Sequence, residues 1–322
     1  MPPNRSDTTA PGSNRSTNKA GKRKPHWKQA KDKEETDEFW HPSLSTTPPD
    51  NFTPGLVRFL KSALETSRAK GETKGATLCW EGATYVTAQP WDRGWGCGYR
   101  NFLMACACLV EQQDQPMYFP LLDAPIPPSV RNLQKWIEAA WVDGYDTSGA
   151  AHFKNAIIGT KKWIGVTDLW IAFAHRGIPC DVVDFDYGTS FGGNEALLRW
   201  IRSYFSAGSS SSTEPIRTTS KMPFILQDGL HSRTIVGIEQ LDDDAMNLLV
   251  FDPSRTFKPK IRKAALAQDL QEVPLKDMLG FFRFHIHRNV FGKQWQILHF
   301  PLTEPLTDYQ RGDRKVVRTT RA

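Results

Sequence analysis

Nine consecutive apolar residues, Phe102 to Val110, form the longest such run in the 322-residue chain. Wound as a helix they leave no polar face, so the rest of the chain has to fold around them. The run is too short to span a bilayer. It follows directly on Trp91-Asp92-Arg93-Gly94-Trp95-Gly96-Cys97-Gly98-Tyr99-Arg100-Asn101, in which Cys97 has glycine on both sides. Cys97 therefore falls at the N-terminus of a buried helix. Unpaired backbone N–H groups and the positive end of the helix dipole favour a thiolate there. The same N–H groups can hold a developing oxyanion, and the glycines admit a substrate backbone. From the residues alone two readings stay open: a small buried residue in a Gly-rich turn, or an activated nucleophile.

The other four cysteines are expected in the core, Cys106 and Cys108 inside the helix, Cys79 and Cys180 in strand-like stretches. Five cysteines without a CxxC pair or a Cys2His2 spacing argue against a disulfide framework and a structural zinc site. They fit a reducing compartment, the cytoplasm or the nucleus. The first thirty residues hold no apolar stretch, so no secretory leader is expected, and neither is a membrane partner.

A nucleophilic cysteine needs a base and a group that orients it. Eight histidines are present, and His26 and His41 lie in a polar N-terminal stretch. His231 stands apart, because it follows Gly229-Leu230 and opens a strand-like segment, Arg233 to Glu239. The next strand-like segment, Leu248 to Asp252, ends in Asp252-Pro253. If the two pair around Asp242-Asp243-Asp244, Asp252 comes back beside His231. A carboxylate at imidazole Nδ1 would fix the tautomer and stabilise the imidazolium. Gln227 ends the preceding strand, four residues before His231, and its amide suits an oxyanion donor. Asp252 is equally suited to a plain turn aspartate before proline, and Gln227 to an ordinary strand end.

Residues 1–50 contain eight apolar residues against seven Pro and eleven Ser/Thr, too few to offset their ordering entropy. The expected organisation is a disordered polar arm over 1–52, a folded body over 53–305 and a basic, disordered tail over 306–322. The net charge of +6 sits in the ends, since residues 51–305 hold 27 basic and 26 acidic residues. A near-neutral body gives no phosphate-binding face, so nucleic acid is a partner only through the tails, for instance through Lys22-Arg23-Lys24. In the body, a helix is expected over 54–69 with Thr53 as N-cap and Pro54 at the first position, and others from Ser129, over 165–176, and over 194–205 capped by Asn194. Ser206 to Lys221 reads as a Ser/Thr-rich loop. Strands are expected at Ile178–Phe185, Pro223–Gln227 and Gln294–Phe300 besides the two above. Phe281 to His287 fits either a strand or a helix end. Helices first and strands later make the fold class α+β.

The stretch Gly94 to Asn101 resembles the nucleophile motif of the ubiquitin-fold-modifier-specific protease superfamily, and most closely its zinc-finger-containing ubiquitin peptidase branch. The similarity continues through Gly159-Thr160-Lys161-Lys162-Trp163-Ile164-Gly165, Gly229 to Gly237, and Val250-Phe251-Asp252-Pro253. The resemblance implies a papain-like cysteine protease fold, its nucleophile helix packed on a mostly antiparallel sheet that carries the His and the Asp. It implies Cys97 as nucleophile, His231 as base, Asp252 as orienter and Gln227 as oxyanion donor, with no metal or organic cofactor. The implied reaction is cleavage after the C-terminal glycine of a ubiquitin-type protein, by a monomer. Residues matching Asp146, Trp163 and Asp168 contact the arginine-rich ubiquitin tail in that branch. Trp163 is equally suited to a core, and the aspartates to a solvated surface.

The sequence departs from the superfamily at two places. Proteases for the modifier itself carry Asp-Pro-His, whereas this chain has Asp252-Pro253-Ser254. That favours ubiquitin or polyubiquitin over the modifier as partner. The branch's animal members prefer chains joined through lysine sixty-three and hold them with upstream zinc fingers. No such fingers occur in these 322 residues. The alternatives are a modifier-specific protease and an inactive ubiquitin-binding module. Intact Cys97, His231 and Asp252 argue against the second.

Overall fold

The long strand β7 (Ser232–Gln240) is buried over eight of its nine residues, and the sheet is organised around it. The computed structural model describes residues 37–186, 192–207, 214–241, 245–256, 258–269, 273–286 and 294–322. Elements are numbered in chain order within these. One edge of β7 pairs antiparallel first with β6 (Phe224–Gln227) and then with β2 (Gly75–Leu78), while the other pairs with β8 (Met246–Phe251). The pairing with β8 slips between Ile235 and Gly237. Gly237 is required there, because a Cβ would lie 2.6 Å from the carbonyl oxygen of Thr77 on β2. Outward from β6 the sheet continues through β10 (Gln294–His299), β4 (Asp181–Asp186) and β11 (Thr319–Arg321). Outward from β2 it ends in β5 (Ile216–Thr218), and β8 carries the short β9 (Arg283–Phe284). Among the described residues only β4–β11 and β2–β5 are parallel pairs. A two-stranded ribbon of β1 (Phe52–Thr53) and β3 (Tyr85–Val86) stands apart.

Helix α2 (Cys97–Glu111) packs on β7 and against α3 (Tyr118–Asp123), α4 (Val130–Val142) and α6 (Val166–His175). Every residue from Gly98 to Leu109 is buried, as its composition dictates. The chain also contains α1 (Leu56–Ala69), α5 (Thr147–His152), α7 (Gly192–Ser206), α8 (Pro259–Ala267), α9 (Leu275–Phe282) and α10 (Asp308–Asp313). The fold is α+β and papain-like, with the cysteine on a central helix and the candidate histidine and aspartate on an adjoining, mostly antiparallel sheet. Among the described residues, no helix is long and apolar enough to cross a membrane.

The turn before α2 is fixed by a buried ion cluster. Arg100, fully buried, donates from Nε to Asp92 Oδ2 at 2.7 Å and from Nη1 to Asp37 Oδ1 at 3.4 Å. Asp92 also accepts the Gln89 N–H, and its backbone carbonyl accepts the Gly96 N–H at 2.8 Å. Gly96 leaves room for this carboxylate, since a Cβ there would meet Asp92 Oδ2 at 2.2 Å. Asp37 Oδ2 accepts the N–H of Val130 at the start of α4. Burial raises the Asp37 pKa, and Arg100 opposes it.

Several expectations need correction. The arm is not disordered up to residue 52: Trp40 is buried, His41 Nδ1 lies 2.6 Å from Glu111 at the far end of α2, and Asp37 joins the Arg100 cluster. The tail is likewise ordered. Residues 308–313 form α10, and 319–321 add a parallel strand beside β4. Thr53 does not cap a helix, because its backbone pairs with Tyr85. The helix begins at Leu56 after Gly55, whose φ of 78° suits glycine. Asn194 lies inside α7 and accepts the Trp295 indole N–H at 3.2 Å. The Ser206–Lys221 loop contains β5. Phe281 to His287 begins as the end of α9 and turns into β9. The Lys22–Lys24 cluster, the Asp242–Asp244 turn and residues 208–213 lie outside the described residues.

Replacing Arg100 by Met keeps the volume but leaves Asp92 and Asp37 buried without their cation. The expected loss is about 3–5 kcal/mol of unfolding free energy, read from denaturant melts of Arg100→Met against the parent chain.

Candidate active site

Cys97 is the first residue of α2, and no side chain caps that terminus. It is also the one cysteine among the five that is not fully buried. His231 reaches it from the short turn between β6 and β7. Asp228 ties that turn: its Oδ1 accepts the N–H groups of Leu230 at 3.0 Å and His231 at 2.8 Å. The His231 ring hydrogen-bonds Cys97, and its Nε2 lies 2.8 Å from Asp252 Oδ1. The carboxylate therefore meets Nε2 and not the Nδ1 that was expected, and Nδ1 is left to the sulfur. Asp252 follows β8, whose register sets Phe251 opposite Thr234, so the β7–β8 pairing returns the carboxylate to His231.

Asp252 is heavily coordinated. Its Oδ1 also accepts the Ser254 N–H at 3.0 Å and the Ser254 hydroxyl at 2.7 Å, and its Oδ2 accepts Arg233 Nε at 3.3 Å. Arg233 Nη1 bonds Asp228 at 2.9 Å, so one guanidinium joins the turn that holds His231 to the carboxylate that orients it. Asp228, Arg233 and the bonding role of Ser254 were not foreseen from the sequence. Their positions three before and two after His231, and two after Asp252, were the only signal.

The electrostatics follow from these bonds. Burial would raise the Asp252 pKa, but the hydrogen bonds from His231 and Ser254 and the Arg233 charge hold it well below the usual carboxylate range. Burial would lower the His231 pKa, yet its bonds to Asp252 and Cys97 push it up to about 9. Burial would raise the Cys97 pKa, but hydrogen bonds from His231 and from Ser232, with the imidazolium charge, leave it lowered overall. The arrangement supports a thiolate–imidazolium pair at neutral pH, the state that a thiol nucleophile and an acid for the leaving group require.

Gln227, at the end of β6, accepts the Val166 N–H on Oε1 at 2.8 Å and lines the same cleft as Cys97. With Oε1 held by the start of α6, its Nε2 is the free donor edge. The cleft also collects Asp146, Trp163 and Asp168. Trp163 is half exposed, so it is not a core residue. Asp146 caps α5, accepting the Gly149 N–H at 3.0 Å from a left-handed backbone. Asp168 is buried and not solvated; its Oδ2 accepts the Gly165 N–H at 2.8 Å, and burial, with Asp146 nearby, pushes its pKa up to about 7. The Gly159–Gly165 segment ends in Trp163, Ile164 and Gly165, which line the cleft. Gln134 holds it through the Gly159 N–H and the Thr160 carbonyl, and the Tyr99 hydroxyl through the Lys162 carbonyl. His152, Phe153 and Leu230 line the cleft as well and were not foreseen. Among the described residues no three His, Cys, Asp or Glu side chains converge as a metal site.

The sequence matches Peptidase family C78 over residues 71–287, a segment that contains Cys97, Gln227, His231 and Asp252. The chain belongs to that family. It is 35% identical over 211 residues to the human and mouse proteins named Zinc finger-containing ubiquitin peptidase 1, covering 64% of this chain and 34% of each of those. The chain thus spans about a third of the length of these relatives. It is 27% identical over 237 residues to Ubiquitin carboxyl-terminal hydrolase mug105 of Schizosaccharomyces pombe, covering 74% of this chain and 86% of that one. A crystal structure of UfSP from C. elegans aligns with a TM-score of 0.41 at 17% identity, over 76% of this chain and 37% of that one.

Because the folded-state pKa of His231 lies above its ordinary 6.5, the stabilisation from its charge is complete below about 6.5 and lost as pH rises through about 9. An NMR titration of His231 should show the imidazolium persisting past pH 7 and neutralising near 9, and His231→Ala should raise the pH midpoint of Cys97 alkylation.

Proposed function

We propose that this chain is a thiol-dependent deubiquitinase that hydrolyses the isopeptide bond after the C-terminal glycine of ubiquitin. The observation that carries the reading is the aligned chain Cys97–His231–Asp252 at the mouth of one cleft, with Gln227 beside it. In this reading the Cys97 thiolate attacks the terminal glycine carbonyl. The oxyanion is held by Gln227 Nε2 and by the backbone N–H groups at the uncapped start of α2. His231, held charged by Asp252, protonates the departing lysine amine. The same imidazole then activates the water that hydrolyses the thioester. Asp146 gives the cleft negative charge for an arginine-rich tail, Asp168 adds a carboxyl that an approaching guanidinium would ionise fully, and Trp163 offers a half-exposed ring at its rim.

Two further observations support ubiquitin over the ubiquitin-fold modifier. The position two residues after Asp252 is Ser254 and not a histidine, and its hydroxyl bonds the carboxylate. The human, mouse and Schizosaccharomyces pombe relatives matched by sequence are named for ubiquitin. Chains joined through lysine sixty-three are the proposed preferred substrate, by the likeness to the zinc-finger branch. The cytoplasm or nucleus is the proposed compartment.

The decisive test is labelling by C-terminally reactive probes, one built on ubiquitin and one on the modifier, with Cys97→Ala as control. Labelling by ubiquitin alone, lost in the mutant, is expected; labelling by the modifier alone would overturn the substrate reading. Gln227→Ala is expected to lower kcat by about 10²–10³ with little change in KM, measured on diubiquitin.

A further inference from the structure

The face of β7 that packs on α2 is polar where an apolar contact would be expected. Ser232 and Thr234 alternate on that face, and Asn101 meets them from α2, one turn after Cys97. All three are buried. The Thr234 hydroxyl donates to Asn101 Oδ1 at 2.8 Å, and Asn101 Nδ2 donates to Ser232 Oγ at 2.9 Å. The direction of each bond follows from the first. With Thr234 donating to the amide oxygen, the amide nitrogen faces Ser232, and a nitrogen can only donate. Ser232 Oγ is therefore the acceptor in that bond, and its own hydrogen has to point elsewhere. The cleft that Ser232 and Cys97 both line offers it the thiol as acceptor, and donation from the Ser232 N–H and hydroxyl is among the causes that lower the Cys97 pKa. Buried hydroxyls and amides cost stability unless every bond is made, and here the chain ends on the sulfur.

We propose that Ser232 is a further catalytic residue of this site: its N–H and hydroxyl both donate to the Cys97 sulfur and hold it as thiolate, and Asn101 and Thr234 set the direction of the hydroxyl. This rests on Cys97 being the nucleophile. Cys97 at the start of α2 then has donors on two sides, the His231 ring and Ser232. The cleft is also lined by the carboxylates Asp146 and Asp168 and by His152, and negative charge on the carboxylates works against a thiolate. The hydroxyl of Ser232 offsets them without adding a charge that could compete for a cationic substrate. It also serves after the acyl group has left, because the same donor receives the regenerated thiolate.

The test reads the thiol itself. The pH profile of iodoacetamide alkylation at Cys97, followed by mass spectrometry, needs no ubiquitin, and the other cysteines are buried. Ser232→Ala keeps the backbone donor and loses the hydroxyl. It is expected to move the alkylation midpoint up by about one pH unit, as losing a hydrogen bond to a charged group implies. Turnover at neutral pH is expected to fall about tenfold, in step with the thiolate fraction. Ser232→Thr keeps the hydroxyl and restores the midpoint. Thr234→Val frees the Asn101 amide and shifts the midpoint in the same direction by less. A midpoint in folded Ser232→Ala equal to that of the parent overturns the proposal. Should that variant not fold, Ser232→Gly removes the same hydroxyl and is read in the same way. A shifted midpoint in a protein that ignores ubiquitin would uphold the thiolate assignment and overturn only the substrate reading.

Discussion

Arg100 holds two carboxylates from a position with no access to water, and the site rests on that bond set. The guanidinium sits on the first turn of α2, so whatever fixes it also fixes Cys97, three residues earlier. Asp92 closes the glycine turn that leads into the helix, and Asp37 brings in a segment far away in sequence and caps a second helix. Without the cation, both carboxylates would be buried at high cost, so the three groups are ordered together or not at all. The apolar run that follows supplies the burial that makes this cluster strong. The helix and the ion cluster are thus one device, in which apolar packing sets the depth of α2 and charge sets its entry angle.

A similar economy governs the other half of the site. Arg233 bonds Asp228, which ties the His231 turn, and Asp252, which orients the His231 ring. A turn and a strand end that would otherwise drift separately are held in register by one planar group, a task for which the fork of an arginine is suited and a lysine is not. The β7–β8 pairing brings these groups near one another. The guanidinium fixes the last ångström.

Much of this was legible in the sequence, for identifiable reasons. A helix with no polar face has only one place to go, so α2 and the position of Cys97 followed from composition. Short strand-like runs located β7 and β8, and pairing them returned Asp252 to His231. What was not legible is non-local. Thr53 reads as an N-cap, but its backbone is claimed by Tyr85. The arm reads as disordered because its average is polar, yet single residues such as Asp37, Trp40 and His41 dock one at a time on partners far along the chain. The tail reads the same way and nonetheless holds a cleft residue in place, since the Lys315 carbonyl accepts the Asp146 N–H at 2.8 Å. Which imidazole nitrogen faces the carboxylate depends on the approach of the turn, and no spacing rule encodes that.

One oxygen, Asp252 Oδ1, receives both the His231 ring and the Ser254 hydroxyl, donors 21 and two residues away along the chain. The Ser254 N–H reaches the same oxygen at 3.0 Å. An oxygen whose lone pairs are all engaged has none to offer water. The bond that aims the imidazole is therefore not traded for hydration when the cleft stands open, and the aim of the base outlasts the arrival and departure of whatever fills it.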